Sequence, residues 1–460
     1  METIAAISTA MGNGGIGIIR MSGKDSFKIL QKIFVNSKNN KLNIDNIKGH
    51  TIQYGYIINS VNGEKIDEVL VSFFKNPKSY TREDMCEINS HGGMIIEKII
   101  LEQCLKNGAV LAEPGEFTKR AFLNGRIDLS QAESIMDLIN SKTDKEAKAS
   151  INQLEGDLSN KIKEIKSKLL DLMADIEASI DYPEYDIEET TNKIAYEKLD
   201  EVENKLLNLK DSFNKGKILK EGIKTAIVGR PNAGKSSLLN KILKEERAIV
   251  SDVEGTTRDT IEEYININGI PLKIIDTAGI RNTEDEIEKI GVKKAISVLN
   301  DADLILAIFD NTKELEDDDI EILDLIKNKN SIILLNKTDL KENNLENKKE
   351  LIELNKKIIK ISAKDGRGIN DLYNEIENLF QINDLETGKE IIITNIRHKN
   401  QIECATKSIE KAKESINDNM PIDIISISII QCLEDLGKIT GENVSEDIIN
   451  EIFSKFCLGK

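Results

Sequence analysis

Apolar residues recur with two different periods along this 460-residue chain, and the places where the period changes divide it. Between residues 1 and 118 short β-like runs dominate, at 3–7, 17–21, 51–58 and 69–74. Asn62-Gly63 offers a hairpin turn between the last two, since both residue types accept positive φ at little cost. From Ser130 the period lengthens. Leu158, Ile162, Ile165, Leu169, Leu172, Ile176 and Ile180 fall at spacings of four and three, which places them on one stripe of a helix. Pro183 ends that stretch, and a second helix is expected over about 196–215. From about 222 to 380 apolar strand-like runs alternate with amphipathic helices, the βαβ pattern of a doubly wound sheet. Asn268-Gly269 joins two of the runs, 261–267 and 271–276. After Asn383 the helical period returns and continues to the end.

Composition narrows the class. With 39% hydrophobic residues the chain can build packed cores, and 460 residues suggest about three domains. No apolar stretch approaches the roughly 20 residues of a membrane span. Met1-Glu-Thr-Ile-Ala-Ala-Ile7 lacks a basic region followed by an apolar one, which argues against secretion. Five scattered cysteines without C-x-x-C pairing fit a reducing cytoplasm and no structural zinc. A net charge of −17 argues against nucleic-acid binding through the overall field. Any RNA must be met by a local basic patch or by a second protein.

Four signatures then appear in a fixed order. Gly229-Arg-Pro-Asn-Ala-Gly-Lys-Ser236 satisfies G-x-x-x-x-G-K-[ST] directly after the apolar run 225–228, so backbone N–H groups can wrap a triphosphate. Lys235 would reach the β/γ-phosphates and the Ser236 hydroxyl would bind Mg²⁺. Asp276-Thr-Ala-Gly279 follows, with Asp276 ordering Mg²⁺ through water and the Gly279 N–H sensing the γ-phosphate. Asn336-Lys-Thr-Asp339 supplies a carboxylate that accepts two hydrogen bonds from the guanine edge, a pair adenine cannot donate. Ser362-Ala-Lys364 completes the set. The expected fold is therefore multidomain, α/β plus α: a mixed α/β N-terminal domain at 1–118, a discontinuous helical domain at 119–217 and 381–460, and a P-loop, Ras-like G domain inserted at 218–380.

Two catalytic parts are missing from this pattern. Ras-like enzymes carry a water-orienting Gln directly after D-x-x-G, and here the position is Ile280, which cannot orient water. An acidic stretch, Glu284-Asp-Glu-Ile-Glu-Lys289, follows and could supply the group, although a solvated helix face is the plainer account of any one of these acids. Positive charge at the β–γ bridge is also needed. Arg258 is one source; Asn232 is another clue, because its amide oxygen can hold a monovalent cation.

These departures, with both ends of the chain, resemble the bacterial tRNA-modification GTPase family MnmE, also called TrmE. The resemblance rests on Gly14-Gly-Ile-Gly-Ile-Ile-Arg20-Met-Ser-Gly23, Ser79-Tyr-Thr-Arg-Glu-Asp84, His91-Gly-Gly93 and the block from Pro114 to Gly125. Asp128-Leu-Ser-Gln-Ala-Glu133, Gly255-Thr-Thr-Arg-Asp259 and Phe456-Cys-Leu-Gly-Lys460 add to it. Members dimerise through the N-terminal domain and partner MnmG (GidA), an FAD-containing protein. Together they add an aminomethyl or carboxymethylaminomethyl group to C5 of the wobble uridine of certain tRNAs. The one-carbon unit comes from a tetrahydrofolate (5-formyl or 5,10-methylene) on the N-terminal domain. Hydrolysis is potassium-dependent and accompanies face-to-face pairing of G domains.

Position by position, the resemblance implies K⁺ ligands at Asn232, Ser251, Val253 and Thr256, and Mg²⁺ ligands at Ser236 and Thr257. The nucleotide site would comprise Asn232, Ala233, Gly234, Lys235, Ser236 and Ser237, the loop Ser251, Asp252, Val253, Glu254, Gly255, Thr256 and Thr257, and Asp276, Thr277, Ala278 and Gly279. Asn336, Lys337, Asp339, Ser362, Ala363 and Lys364 would hold the base. Glu288 would orient water, K⁺ would replace the arginine charge, and Arg258 would keep a structural or switch role. Glu87 would read the guanine-like edge of a pterin, with Arg20, Arg126 and Lys460 as cationic groups beside it. Cys457 is either a catalytic thiol or a small residue packed by the folate pocket. The Cys457-Leu-Gly-Lys460 ending is a poor prenylation signal. A GTP-switched ribosome-assembly factor resembling Era or Der shares the G motifs, but this chain has one G domain and no KH-type G-x-x-G loop.

Overall fold

The computed structural model describes residues 1–10, 12–181, 188–245, 263–275, 299–340, 343–380 and 391–460. They form two compact units. One comprises Met1–Met136, Leu154–Lys163 and Glu434–Lys460, the other Asp137–Gln153 and Glu164–Leu433.

The first unit is built on a seven-stranded sheet. Its strands are β1 (Ile4–Ile7), β2 (Ile16–Ser22), β3 (Phe34–Asn36), β4 (Thr51–Ile58), β5 (Lys65–Phe74), β6 (Met85–His91) and β7 (Val110–Leu111), in the order β3-β4-β5-β6-β2-β1-β7. Only β1 and β7 pair in parallel. The strand period of two does the sorting. Val69, Val71 and Phe73 of β5 are buried while Leu70 between them is exposed. Helices α1 (Ser26–Ile33) and α2 (Met94–Lys106) belong to the same core, which holds Leu30, Ile33 and Ile100 beside Ile19, Met21 and Ile88. The other face of the sheet leaves Ile52, Tyr54 and Leu70 exposed, with Tyr54 directly opposite Leu70. Helices α3 (Glu116–Leu123) and α4 (Leu129–Ile139) pack with the C-terminal helix Glu446–Ser454. There the rings of Phe122 and Phe453 lie 6.2 Å apart and those of Phe453 and Phe456 5.1 Å.

The apolar stripe read from the sequence forms α6 (Asp157–Asp181), in which Leu158, Ile162, Ile165, Leu169, Leu172 and Ile176 are all buried. The next helix is longer than the sequence pattern suggests: α7 spans Glu188–Glu221 and leads directly into the first strand of the second sheet. Gly216 lies inside α7 rather than at its end. The Ile393 carbonyl approaches so closely that a Cβ would fall 2.1 Å from it. Leu199, Val202, Leu206, Leu209 and Phe213 of α7 are buried, as are Ile402, Ala405, Ile409 and Ala412 of the helix Ile396–Asn417. Lys413 bonds both Asp200 and Glu203 at 2.6 Å.

Helix α5 (Asp144–Glu155) begins with Thr143 accepting the Glu146 N–H, and the Glu146 carboxylate reaches back to the Lys142 N–H at 2.7 Å. The Glu146 side chain is buried, and burial pushes its pKa up to about 7, against the lowering effect of the Lys142 N–H. A carboxyl whose folded pKa exceeds its unfolded value binds more protons in the folded state. Its contribution is favourable below the unfolded value of 4.5 and is lost as pH rises toward 7. Glu146→Gln is therefore expected to stabilise the protein by about 1–3 kcal/mol at pH 8 and by nothing at pH 4, as read from denaturant midpoints at the two pH values.

The second sheet has the order β13-β12-β11-β8-β10-β9, with β8 (Ile223–Val228), β9 (Glu263–Ile267), β10 (Ile270–Ile274), β11 (Leu304–Asp310), β12 (Ser331–Asn336) and β13 (Lys357–Lys360). All neighbours are parallel except β9 and β10. Both faces are covered, as a parallel sheet requires. Leu306 and Ile308 of β11 enter one core and Ile305, Ala307 and Phe309 the opposite one. Strand order reverses at β8, which pairs with β10 on one side and β11 on the other. Ligands of such sheets bind at the carboxyl ends of the strands beside that reversal.

Candidate functional site: a nucleotide cradle and a separate polar cluster

The loop after β8 turns into helix α8 (Lys235–Glu245), so the first helical N–H groups face the loop they leave. Asn232 adopts the left-handed conformation at φ 62°, which Asn tolerates better than most residues, and its side chain is exposed. Ala233 is buried, Ser236 half-buried and Ser237 exposed. The Lys235 ammonium donates to the Gly229 carbonyl at 2.6 Å and the Arg230 carbonyl at 2.9 Å. Burial holds it below the ordinary lysine range. Neutral carbonyls are weaker partners for an ammonium than phosphate oxygens, so the lysine is positioned to exchange them for a triphosphate.

Asn336 closes the cradle from the other side. It is 2% exposed, at the end of β12. Its Nδ2 donates to the Ala233 carbonyl at 2.8 Å and its Oδ1 accepts the Ala363 N–H at 3.0 Å. One amide thus ties the phosphate loop to the Ser362-Ala-Lys364 turn. Asp339 accepts the buried Ser362 hydroxyl on Oδ1 at 2.9 Å, and that bond, with Lys364 and Arg367 nearby, lowers its pKa. The carboxylate is ionised at neutral pH, as reading a donor pair requires. Ser362 also accepts the Asp365 N–H at 3.2 Å, while the Lys364 side chain is exposed.

Two contributors escape a reading of motifs. Asp310, at the end of β11, accepts the Lys337 ammonium at 2.7 Å and both the N–H and hydroxyl of Thr312. Burial works to raise its pKa, but these donors outweigh it and the net shift is downward. Lys337 has φ 69°, a conformation costly for a side chain with a Cβ, and the ion pair holds its far end. A polar Asp-Asn-Thr ending on an otherwise apolar strand is the one sequence signal for this turn. Arg230 occupies a variable position of the phosphate-loop motif and is ion-paired with Glu316 and, at 3.3 Å, with Asp319. These acids form the capping box of the helix Asp317–Ile326. Nothing local to residues 229–236 announces that pairing, because its partners lie more than eighty residues away.

Ser251, Asp252, Val253, Glu254, Gly255, Thr256, Thr257, Asp276, Thr277, Ala278, Gly279 and Glu288 lie outside the described residues, as do Arg258 and Ile280. Among the described residues no group of three or more His, Cys, Asp or Glu side chains could hold a metal ion.

In the first unit, Arg20 and Glu87 stand opposite each other on β2 and β6. Arg20 places Nε and Nη2 on Glu87 Oε1 at 2.9 and 2.8 Å, and Nη1 on the Gly459 carbonyl at 3.2 Å. Ser8 bonds the same carbonyl at 3.0 Å. The C-terminal segment is pinned beside them: the Phe117 N–H donates to Lys460 and the Gly115 N–H to the Cys457 carbonyl. Arg20, Glu87, Arg126, Cys457 and Lys460, drawn from both ends of the chain, thus gather around Tyr80 and α3. The Cys457 side chain is exposed rather than packed. Arg120, which the sequence does not single out, is 4% exposed and bonds Glu83 at 3.1 Å and Glu116 at 2.7 Å, tying α3 to the segment before β6.

The whole chain matches known proteins. A model described as GTP-binding protein TrmE N-terminus covers residues 3–126, and one described as MnmE helical domain covers 129–457. A protein of Acetivibrio thermocellus called tRNA modification GTPase MnmE is 55% identical over 459 residues, covering 100% of this chain and 99% of the relative. Proteins of the same description from Alkaliphilus oremlandii and Bacillus pumilus are 48% and 46% identical, each over 100% of this chain and over 99% and 100% of the relative. The chain belongs to the MnmE (TrmE) family. Membership accounts for an N-terminal domain and a helical domain matched on either side of, and across, the nucleotide cradle. Among the described residues no helix of this family member is long and apolar enough to cross a membrane.

Proposed function

We propose that this chain, a GTPase of tRNA modification, works as a potassium-dependent hydrolase with MnmG, adding an aminomethyl or carboxymethylaminomethyl group to C5 of wobble uridine. The observation that carries the GTPase reading is the Asn336 bridge, which joins the phosphate loop to the guanine-reading turn in a chain of the MnmE family. Asp339 accepts the guanine donors, Lys235 moves from loop carbonyls to the phosphates, and Ser236 with Thr257 would hold Mg²⁺. Arg230, the arginine of the phosphate loop, is neutralised by Glu316 and Asp319. That supports a bound K⁺ as the source of charge at the β–γ bridge, held by Asn232, Ser251, Val253 and Thr256. Asn232 fits such a role, with an exposed amide on a left-handed backbone. Glu288 would orient the attacking water.

The polar cluster of the first unit fits a pterin. Both Arg20 contacts fall on Glu87 Oε1, so Oε2 is not engaged by Arg20 and can accept a guanine-like N–H. Arg126 and Lys460 add positive charge. A tetrahydrofolate, 5-formyl or 5,10-methylene, would supply the one-carbon unit. Cys457, being exposed, is available to substrate. The open sheet face bearing Ile52, Tyr54 and Leu70 supports a homodimer. With 80 acidic against 63 basic residues, the chain leaves most tRNA contact to MnmG, in the cytoplasm.

Removing the gene from its host is expected to abolish C5-modified wobble uridines in total tRNA, measured by nucleoside mass spectrometry. The intact gene restores them and Glu288→Ala does not; an unchanged profile rejects the modification reading. In vitro, replacing K⁺ by Na⁺ at equal ionic strength should lower turnover at least tenfold without loss of nucleotide binding, about 1.4 kcal/mol of barrier. Equal rates in both salts reject the cation mechanism.

A further inference from the structure

The ring of Tyr80 has two guanidinium groups against it, Arg20 at 5.4 Å and Arg126 at 4.6 Å from its centroid. Arg126 also donates to the Tyr80 carbonyl at 3.1 Å. Two residues away on each segment, Arg82 donates to the Asn124 carbonyl at 2.9 Å, and Asn124 Nδ2 donates to the Thr81 carbonyl at 2.6 Å. Residues 80–82 and 124–126 are stitched together by these three bonds, which bring Arg82 and Arg126 to one exposed rim, continuous through Tyr80 with the Arg20–Glu87 pair. Arg82 holds a left-handed backbone at φ 57°, a conformation that glycine would adopt more cheaply.

The charge on this rim is unbalanced. In a chain with an excess of 17 negative charges, neither Arg82 nor Arg126 has a carboxylate within ion-pair distance among the described residues. Glu83 and Glu116 are taken by Arg120, and Glu87 by Arg20. Both rim arginines instead bond neutral carbonyls, which leaves their charge to an anionic ligand. Guanidinium forks match carboxylates in geometry.

We propose that Arg82 and Arg126 form a subsite for the γ-linked glutamate tail of a polyglutamylated folate, whose ring is read at Glu87. The inference rests on the folate reading of that cluster and adds Arg82 and a tail-length preference to it. Each additional γ-glutamyl residue adds one carboxylate, and charges on an exposed rim act over about 10 Å at 0.1 M salt. tRNA phosphates are the competing anion, and the rim is too small, two arginines, to hold an RNA backbone in a chain of this charge.

The test is calorimetric titration of the full-length protein with 5-formyltetrahydrofolate carrying one or five glutamates. The pentaglutamate should bind about tenfold more tightly at 50 mM salt, with the advantage shrinking at 300 mM. Arg82→Ala should bring the ratio of the two affinities close to one, and Arg82→Lys should keep part of it, with thermal midpoints confirming that both variants fold. Equal affinities for both lengths in the unaltered protein, or a length advantage that survives Arg82→Ala, overturns the subsite. Loss of tRNA binding in Arg82→Ala without a tail-length effect assigns the rim to RNA and overturns it likewise. Failure of the ring reading is a different result: neither length binds at all.

Discussion

Asp339→Asn should lower GTP affinity on the order of 10⁴-fold and raise affinity for xanthosine triphosphate. The reason is the polarity of the base edge. Asp339 is an acceptor on both oxygens, one of them taking the Ser362 hydroxyl at 2.9 Å, and its lowered pKa keeps it ionised. An asparagine presents one NH₂ group, which would face the guanine donors and leave buried N–H groups unpaired, a cost of roughly 1–3 kcal/mol each. Xanthine carries an oxygen in place of the exocyclic amine and accepts from that NH₂. Competition binding with both nucleotides measures the exchange. Undiminished GTP preference in the variant would remove Asp339 from the base site.

Gly234→Ala carries the second large effect, because two independent demands meet at one residue. The backbone there has φ 106°, and an added Cβ would fall 2.0 Å from Asn336 Nδ2. The nitrogen cannot retreat without breaking its bond to the Ala233 carbonyl, and the same amide holds the Ala363 N–H. The substitution therefore unlocks the phosphate loop and the base-reading turn together. Nucleotide affinity should fall at least a hundredfold, about 2.7 kcal/mol, with a stability loss of about 2–3 kcal/mol from strain and the orphaned buried amide. Fluorescent-nucleotide titration and a denaturant melt separate the two. Near-normal affinity would show that the Asn336 bridge is dispensable.

The elements most visible in the sequence are those whose determinants are close together. The stripe from Leu158 to Ile176 announces a buried helix because each residue lies one turn from the next, and the runs 304–309 of β11 and 332–335 of β12 are apolar because both faces of the sheet are covered. The end of α7 is less legible. Gly216 resembles a helix stop until the Ile393 carbonyl, 177 residues on, is seen to need the space. The phosphate loop is contiguous and can be read letter by letter. Arg230 within it gives no sign of Glu316 and Asp319, and Lys337 gives no sign of Asp310.

By itself the sequence determined the long helical stripe, the apolar strand runs of the second sheet, the placement of three nucleotide motifs after β8, β12 and β13, and the residues whose chemistry suits GTP. Backbone periodicity and motif spacing are local quantities, so a linear string is enough to specify them. Tertiary structure alone decided which of those groups meet. It put Arg20 across from Glu87 by strand register, brought Gly459 to Arg20 over 439 positions, and made Asn336 a brace between two loops. It also tied Arg230 to the helix Asp317–Ile326 and set Arg82 and Arg126 on one rim with no carboxylate partner among the described residues. Hydrogen bonds and charges act over a few ångströms of space, and distance along the chain carries no information about them.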